Sequence, residues 1–532
     1  MVSQQPVFRA SGAGFRTPRI ALLPQALVVL GMLLTATFLG LYVSRQQTVR
    51  IALLVGAATL VTSLALHSYR ALFLASAVWL GALGSVRRMF AIRGLLPDID
   101  PLFLVGQVIV VVLLLIAIRR GALERRTTMA KAVLAMCVLA LLSSLNPLQG
   151  GPAVGVPGLL FFLMPMLWFW VGRALVDDRT MARYLAIVAG FAVFASGYGL
   201  SQTYFGFTWY DGAWAERSVR VGYNALIVEG HIRAFGTFAS AAEYAVYLGI
   251  GLVLWLAIAL RGLRIALLLP VLAFLGFAIL LSSVRSVTVL CVVALGMMLA
   301  ARAAVRMPVA LAAGALAIVG LGFAAQGAAG VTFSDSRTAG LLQHQVDGLS
   351  DPTNEETSTL GAHMELMTGG FVQAARTPLG LGAGAVTHAS ARIIGKSRST
   401  EVDPSNVAVG LGFPGLALYL VIAYCGMTTA YAVTRRRRDW LALAGLGILV
   451  MTSLQWFNGG HYAVTPMAWL LFGWYDRKSI EIADADAAAP AVGPEPPRSL
   501  RRHRRQPNQG VRGQVTARNT TLTRGDGEGL WT

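Results

Sequence analysis

Long runs of apolar residues, separated by short polar and basic segments, repeat along most of the chain. Runs of this length are typical of transmembrane segments. Inside a bilayer the backbone has to satisfy its own hydrogen bonds, so the runs are predicted to be helices. The sequence therefore predicts an all-α, polytopic membrane helix bundle of about 12–14 transmembrane helices. The predicted segments are approximately 22–44, 51–66, 71–86, 102–118, 129–145, 154–171, 184–203, 239–260, 265–281, 285–301, 308–325, 406–434, 440–457 and 462–475.

One polar segment, 326–405, is too long to be a simple connection between two helices. Its central part carries apolar residues near helical spacing, and the proline and glycines of TPLGLGAG end that stretch. The segment is therefore predicted to form a large external helical loop over the bundle. The apolar positions are Leu360, Met364, Met367, Phe371 and Ala375.

The chain from about 479 onward is rich in Pro, Ala, Gly and Arg. This composition is typical of disorder, and its arginines could contact anionic lipid headgroups. The predicted organisation is a cytoplasmic N-terminal segment (1–19), a transmembrane bundle (20–325), the external loop (326–405), C-terminal transmembrane helices (406–478) and a disordered basic cytoplasmic tail (479–532).

The basic residues of the chain are interpreted as markers of its orientation in the membrane. Hydrophobic residues make up 56% of the sequence and charged residues 13%, with a formal net charge of +19. Basic residues crowd four loops that fall on one side if the segments alternate, and the positive-inside rule makes that side cytoplasmic. Both termini are then inside, and nucleic acid is not an expected partner. The four basic loops are 119–126, 261–264, 301–306 and 435–438.

Three arginines depart from this pattern. Arg87, Arg88 and Arg93 fall outside if the segments alternate. Either one of the first three segments is miscounted, or these arginines meet an anionic group such as a lipid headgroup.

Two arginines on the outer side are candidate anion ligands. Arg233 lies in HIRAFGTF, just before the apolar run 239–260, and Arg285 lies in SSVRS between two apolar runs. An ionisable residue at such a place faces the bundle interior or water, although a snorkelling interfacial arginine is the simpler alternative. A guanidinium group matches two phosphate oxygens at once. Two of them on one membrane face would suit a lipid-borne diphosphate.

A third outer segment, VDPSN, precedes the run 406–434. Asp403 there is a candidate general base or acceptor-positioning carboxylate, and the alternative is an ordinary helix cap. Ser283, Ser405 and Asn406 are candidate supporting residues of the site. The weaker candidates for the base are the loop histidines His388, His363 and His344.

Several other chemistries find no sequence support. The GLGAG motif at 380–384 has no strand–turn–helix context and is not a nucleotide-binding fingerprint. No HExxH or CxxC arrangement is present, and neither a metal nor a cofactor is expected. The three cysteines have neither metal nor disulfide spacing and read as core or lipid-facing residues. They are Cys137, Cys291 and Cys425.

Taken in order, these segments resemble the O-antigen ligase and O-antigen polymerase family of bacterial membrane glycosyltransferases. RAFGTFASAAEYAVYL resembles the arginine–glycine–phenylalanine segment of that family, SSVRS its serine–arginine segment, and ARTPLGLGAG with DPSNVAVGLGFPGLALYL the end of its large periplasmic loop and the next helix. The resemblance covers about 154–434. It implies a multi-pass protein of the bacterial inner membrane.

The resemblance also implies a reaction. The donor would be an oligosaccharide on undecaprenyl diphosphate, transferred on the outer face with inversion and without a metal. Arg233 and Arg285 would bind the diphosphate, and a base would deprotonate the acceptor hydroxyl. Ligases of the family place a histidine where this chain has VDPSN, and the departure favours a polymerase. Asp403 is then the predicted base, and His388 is held in reserve.

Alternatives of two kinds stay open. A ligase would pass a finished glycan to lipid A core or to protein, whereas a transporter or flippase would move lipid-linked sugars without forming a bond. A transporter is expected to carry charges through the membrane depth and interrupted helices at its midplane. The predicted partners are the lipid-linked oligosaccharide, membrane lipids and, for a polymerase, a chain-length regulator.

Overall fold

The computed structural model describes residues 68–92, 101–124, 126–220, 226–262, 265–328, 335–354, 360–457 and 461–488, together with 56, 61 and 63–65. The apolar runs form helices α1 (Tyr69–Ile92), α2 (Pro101–Arg119), α3 (Thr128–Ser143), α4 (Pro152–Leu175), α5 (Asp178–Tyr204), α7 (Ala241–Ala259), α8 (Ile265–Leu281), α9 (Arg285–Arg302), α10 (Met307–Ala328), α14 (Asp403–Arg437), α15 (Trp440–Met451) and α16 (Thr465–Ala488). The remaining elements are α6 (Trp209–Arg220), α11 (Ser336–Ser350), α12 (Leu360–Arg376), α13 (His388–Ile394), two 3-10 turns (Pro147–Gln149 and Ala383–Val386) and the antiparallel pair β1 (Ile227–Val228) and β2 (His231–Ile232).

The predicted all-α membrane bundle is confirmed. Every predicted segment from 71–86 onward overlaps a helix, although the helix in the predicted run 440–457 ends at Met451. Within the described ranges, eight helices are long and apolar enough to cross a membrane, and α3, α8 and α15 are shorter apolar helices. The predicted segments 22–44 and 51–66, like the N-terminal segment 1–19, lie outside the described residues except for a few positions.

Burial separates central from peripheral helices. Over its apolar window α7 is 72% buried, whereas α10 is only 11% buried. The side chains of Leu316 and Phe323 on α10 are exposed, which suits a helix that faces lipid. At 12 residues α15 is only about 18 Å long, shorter than the ~30 Å hydrocarbon core. Residues 441–451 are all buried, so protein rather than lipid surrounds this short helix.

The basic loops gather at one end of the bundle. Arg173 Nε donates to Asp476 Oδ2 at 2.7 Å with both side chains buried, and Arg437 Nη2 donates to Asp178 Oδ2 at 2.8 Å. Arg435 donates to a backbone carbonyl of the loop that joins α9 and α10. The helix ends that the positive-inside rule assigns to the cytoplasm therefore lie together.

The opposite end carries the long loop, whose predicted helical character is confirmed by α11, α12 and α13. Its glycine-rich turn, 377–384, packs against a break in α14. Gly412 has a φ of 69° and interrupts the helix there. Leu381 N–H donates to the carbonyl of Val409 at 2.8 Å, so the turn takes up a backbone acceptor next to the break.

One predicted boundary was wrong by about ten residues. The C-terminal tail was predicted to begin at 479, but α16 continues to Ala488. Arg477 and Lys478 both pair with Glu481 at 2.7 Å, and such i,i+3 and i,i+4 pairs support a further helical turn. The compact units of the chain divide after Ile482, and every site discussed below belongs to the first unit. Residues 489–532 lie outside the described part.

Candidate functional site

A buried ion pair shapes the segment that carries Arg233. Arg88 on α1 is 2% exposed, and its Nε donates to Asp211 Oδ1 at 2.6 Å. The same guanidinium group donates to the carbonyl oxygens of Gly236, at 2.6 Å, and Phe238. This planar fork therefore holds the RAFGTF backbone at two carbonyl groups.

The Asp211 carboxylate has two further donors on α5. Tyr198 donates to Oδ2 at 2.5 Å and Gln202 at 2.9 Å. The carbonyl of the Gln202 side chain accepts from the backbone N–H of Gly236 at 2.8 Å. For Arg88 the anionic partner is thus a protein carboxylate, not a lipid headgroup. The alternation of segments predicted that Arg88 and Arg233 lie at the same end of the bundle. The contacts between Arg88 and the RAFGTF segment agree with that prediction.

The structure brings Arg233 to the turn that leads into the helix of Arg285. Arg233 Nη1 donates to the backbone carbonyl of Ser283 at 3.2 Å. Arg285, two residues further on, begins α9, and its Nε donates to the carbonyl of His344 at 3.0 Å. Its Nη2 lies 2.9 Å from His344 Nε2. We call Arg233, Arg285 and His344 the two-arginine site.

Helix α11 lies directly over this site. The Ser283 hydroxyl donates to the carbonyl of Leu341 at 2.9 Å, and a side chain at Gly348 would collide with the Arg285 guanidinium. Ser283 has a φ of 52°, an uncommon conformation for a residue other than glycine. Ser283 was predicted to support the ligand site, and its hydroxyl contacts α11.

His344 is the titratable partner of Arg285. Burial and then the positive charge of Arg285 lower the pKa of His344 below its ordinary value. The Glu229 carboxylate, 3.8 Å from Nδ1, acts in the opposite direction. His344 is therefore neutral near pH 7 and can accept a hydrogen bond at one ring nitrogen. Among the described residues no carboxylate forms an ion pair with Arg285, although Asp347 is near enough to interact with it electrostatically.

Asp403 lies elsewhere on the outer end. It is 1% exposed, and both carboxylate oxygens are 3.2 Å from the backbone N–H of Phe457. Its own N–H donates to the carbonyl of Leu454 at 3.1 Å. Asp403 thereby ties the start of α14 to the turn that follows α15.

The neighbouring predicted residues hold the preceding loop. The Ser405 hydroxyl lies 2.6 Å from the Thr400 hydroxyl, and Asn406 Oδ1 accepts from the backbone N–H of Thr400 at 2.7 Å. These contacts give Ser405 and Asn406 a structural function at the beginning of α14.

Two other predicted histidines occupy different surroundings. His388 is the first residue of α13; it is exposed and meets the Phe161 ring edge-on at 5.7 Å between centroids. His363 Nδ1 lies 3.0 Å from the Glu401 carboxylate. That hydrogen bond raises the pKa of His363 and lowers the pKa of Glu401. His363 therefore pairs α12 with the loop before α14.

One further buried polar residue, Glu243, was not identified from the sequence. Glu243 on α7 is 1% exposed and accepts from the backbone N–H groups of Ala463 at 2.8 Å and Ala239 at 3.2 Å. His461, also buried, lines a cavity of about 30 Å³ nearby. That volume suits a water molecule or two, not a sugar. A carboxylate inside an apolar run was the signal that could have drawn attention to Glu243.

In the part of the chain that the structure describes, no group of three or more His, Cys, Asp or Glu residues could hold a metal ion. No protein-family model matches the chain, and no curated protein matches it. The resemblance to the O-antigen ligase and polymerase family therefore rests on the sequence segments quoted above. The geometry of the two-arginine site is an independent basis for a functional proposal.

Proposed function

We propose that this membrane protein is a glycosyltransferase that polymerises undecaprenyl-diphosphate-linked oligosaccharide repeat units. The reaction is placed on the outer face of the bacterial inner membrane, with both termini in the cytoplasm. The proposal depends on one observation above all: at the end of the bundle opposite the basic loops, Arg233 donates to the carbonyl of Ser283, two residues before Arg285, and Arg285 contacts His344. Two forked cations there suit a diphosphate at the membrane surface.

The arginines would act on the leaving group. The acceptor hydroxyl oxygen bonds to the anomeric carbon of the donor, and the bond from that carbon to the diphosphate oxygen breaks. The electron pair leaves with the diphosphate, whose developing charge Arg233 and Arg285 stabilise. Attack from the opposite side inverts the anomeric carbon. In this proposal the positive charge comes from protein side chains, and a metal ion is not required.

The contacts of the candidate bases change which residue is proposed to accept the proton of the acceptor hydroxyl. Both carboxylate oxygens of Asp403 already accept from the backbone N–H of Phe457, so the fold engages this carboxylate and does not present it to a sugar hydroxyl. His388 is exposed but lies against Phe161. His344 has the Glu229 carboxylate near Nδ1 and Arg285 against Nε2. Nε2 can take the proton of the acceptor hydroxyl once Arg285 turns from it to the diphosphate. We therefore place His344 ahead of Asp403 and His388.

Replacing His344 by glutamine tests this assignment. The amide oxygen can still accept from Arg285, but it cannot take up a proton, so we expect kcat to fall about 100-fold with little change in donor binding. Because the pKa of His344 is lowered, the imidazole should become protonated, and the wild-type rate fall, only at a pH below the ordinary histidine value of about 6.5. The variant should lack this acidic decline. His363→Gln is the matched control, and a His344→Gln variant with the wild-type rate and pH profile would exclude the assignment.

Asp403→Asn separates the two functions considered for that residue. An amide cannot offer two carboxylate oxygens to the Phe457 N–H, so we expect the free energy of unfolding to fall by about 1–3 kcal/mol. Thermal unfolding in detergent measures this loss. Below its unfolding temperature the variant should transfer sugar at a rate comparable to wild type. A transfer rate about 100-fold below wild type in the folded variant would instead identify Asp403 as the general base.

The function itself is tested with purified protein and lipid-linked repeat units as the only substrate. Chain growth without another acceptor is the expected result. Growth only after lipid A core or an acceptor protein is added would identify a ligase. Movement of the lipid-linked sugar across a vesicle membrane, without a new glycosidic bond, would identify a transporter and overturn the proposal.

The broken helix α14 is the feature that a transporter would share. Its position argues against that function. The helical run from 413 to 437 is about 37 Å long at 1.5 Å per residue, enough to cross the ~30 Å hydrocarbon core by itself. The break at Gly412 therefore lies at the outer boundary, where the turn 377–384 covers it, and not at the midplane.

A further inference from the structure

Gln345 on α11 is a buried amide without a hydrogen-bond partner. The residue is 1% exposed. Neither its Nε2 nor its Oε1 has a partner among the residues that the structure describes. A side-chain amide offers two donors and two acceptor positions, and burying them unpaired costs folding free energy. Such a group is uncommon unless something outside the chain completes its bonds.

Helical spacing places Gln345 over the two-arginine site. The buried face of α11 consists of Thr338, Leu341, Gln345 and Gly348. Leu341 accepts the Ser283 hydroxyl, and Gly348 packs on the Arg285 guanidinium. Gln345 lies on that face between them, one turn from each. The preceding residue, His344, contacts Arg285 directly.

The chemistry of an amide differs from that of the arginines around it. Phosphate oxygens only accept hydrogen bonds, and the guanidinium groups only donate. An amide does both, as do a sugar hydroxyl and an acetamido group. We infer that Gln345 binds the sugar residue that is attached directly to the diphosphate, an inference that rests on the proposed function. Gln345 would thus contribute to the choice of donor sugar.

A ligand-binding amide and a structural amide respond in opposite ways to an apolar replacement. Leucine fills a similar volume and leaves no unpaired polar atoms. If the Gln345 amide is paired only when a ligand binds, the Gln345→Leu variant should unfold at the same temperature as wild type or higher. If the amide supports the fold, the unfolding temperature should fall. Gln345→Met, which is unbranched, serves as a second variant should leucine fit poorly.

The decisive measurement is binding of two lipids to the full-length protein in nanodiscs. One is undecaprenyl diphosphate carrying a sugar, and the other is undecaprenyl diphosphate alone. Gln345→Leu is expected to weaken binding of the glycosylated lipid about five- to tenfold and to leave binding of the sugar-free lipid unchanged. Gln343→Leu is the matched control, because Gln343 is exposed on the same helix and donates to Asp347. Arg285→Ala should weaken binding of both lipids.

Each alternative result has a distinct meaning. If Gln345→Leu and Gln345→Met weaken binding of both lipids equally, or leave binding of both unchanged, the proposed sugar contact is overturned. The two-arginine site is unaffected by that result. A lowered unfolding temperature in both variants would identify Gln345 as a structural residue and also overturn it. If wild type binds neither lipid, the proposed function fails, and the inference about Gln345 fails with it.

Discussion

Arg285→Ala is expected to abolish glycan transfer while the protein still inserts in the membrane and folds. Removing one group that stabilises developing charge typically costs about 10²–10³ in kcat, and here the loss of diphosphate binding adds to it. Arg285→Lys should also be poor, because an ammonium group cannot present the fork that matches two phosphate oxygens. Transfer is measured as chain growth on lipid-linked repeat units, with unfolding temperature as the check on folding.

The chain supplies a matched control on the same helix. Arg302 ends α9 as Arg285 begins it, and Arg302 is exposed at the basic end of the bundle. Arg302→Ala should transfer sugar at the wild-type rate. Arg233→Ala should lose transfer as Arg285→Ala does, since the Arg233 guanidinium binds the carbonyl of Ser283, two residues before Arg285. Full activity in both the Arg233 and Arg285 alanine variants would rule out the diphosphate clamp.

The helices could be predicted because lipid leaves the backbone few alternatives. A run such as 184–203 has to form a helix once it is in a bilayer, and α5 covers it. The exact ends depend on short-range interactions that hydropathy does not contain. The extension of α16 to Ala488, supported by the pairs of Glu481 with Arg477 and Lys478, is one such case.

The site could be predicted only in part, since charge at the membrane edge is visible in a sequence and tertiary contact is not. Arg233 and Arg285 stood out because cations are rare at such positions. The hydroxyl of Ser283 could equally have faced a ligand or α11, and only the fold shows that it donates to Leu341. Nothing in the spacing of α11 distinguishes buried Gln345 from exposed Gln343 without knowing what the helix packs against.

Arg88 shows how a partner far away in sequence changes an interpretation. From the sequence alone, an arginine at the outer end of an early segment suggested a miscounted helix or a lipid headgroup. Its carboxylate partner, Asp211, lies 123 positions away on α6. A single sequence does not reveal such a pair, although the alternation of segments had already placed Arg88 at the outer end.

The largest effect on stability is expected when this pair is broken. Arg88→Ala leaves the Asp211 carboxylate, which is fully buried, without its cation. Removing one partner of a buried ion pair destabilises a protein by about 3–5 kcal/mol. The carbonyls of Gly236 and Phe238 also lose their donor. The unfolding temperature in detergent should therefore fall steeply. Arg70→Ala is the control, because the Arg70–Asp177 pair is 53% and 41% exposed and should contribute at most about 1 kcal/mol.

A double variant separates the fold from the function of this pair. Arg88→Met combined with Asp211→Leu removes both buried charges, so it should recover much of the stability that Arg88→Ala loses. It cannot restore the hydrogen bonds that hold the backbone at Gly236, three residues beyond Arg233. Transfer should therefore stay low although the protein is folded. A double variant that regains both stability and transfer would show that the guanidinium of Arg88 is not needed to position Arg233.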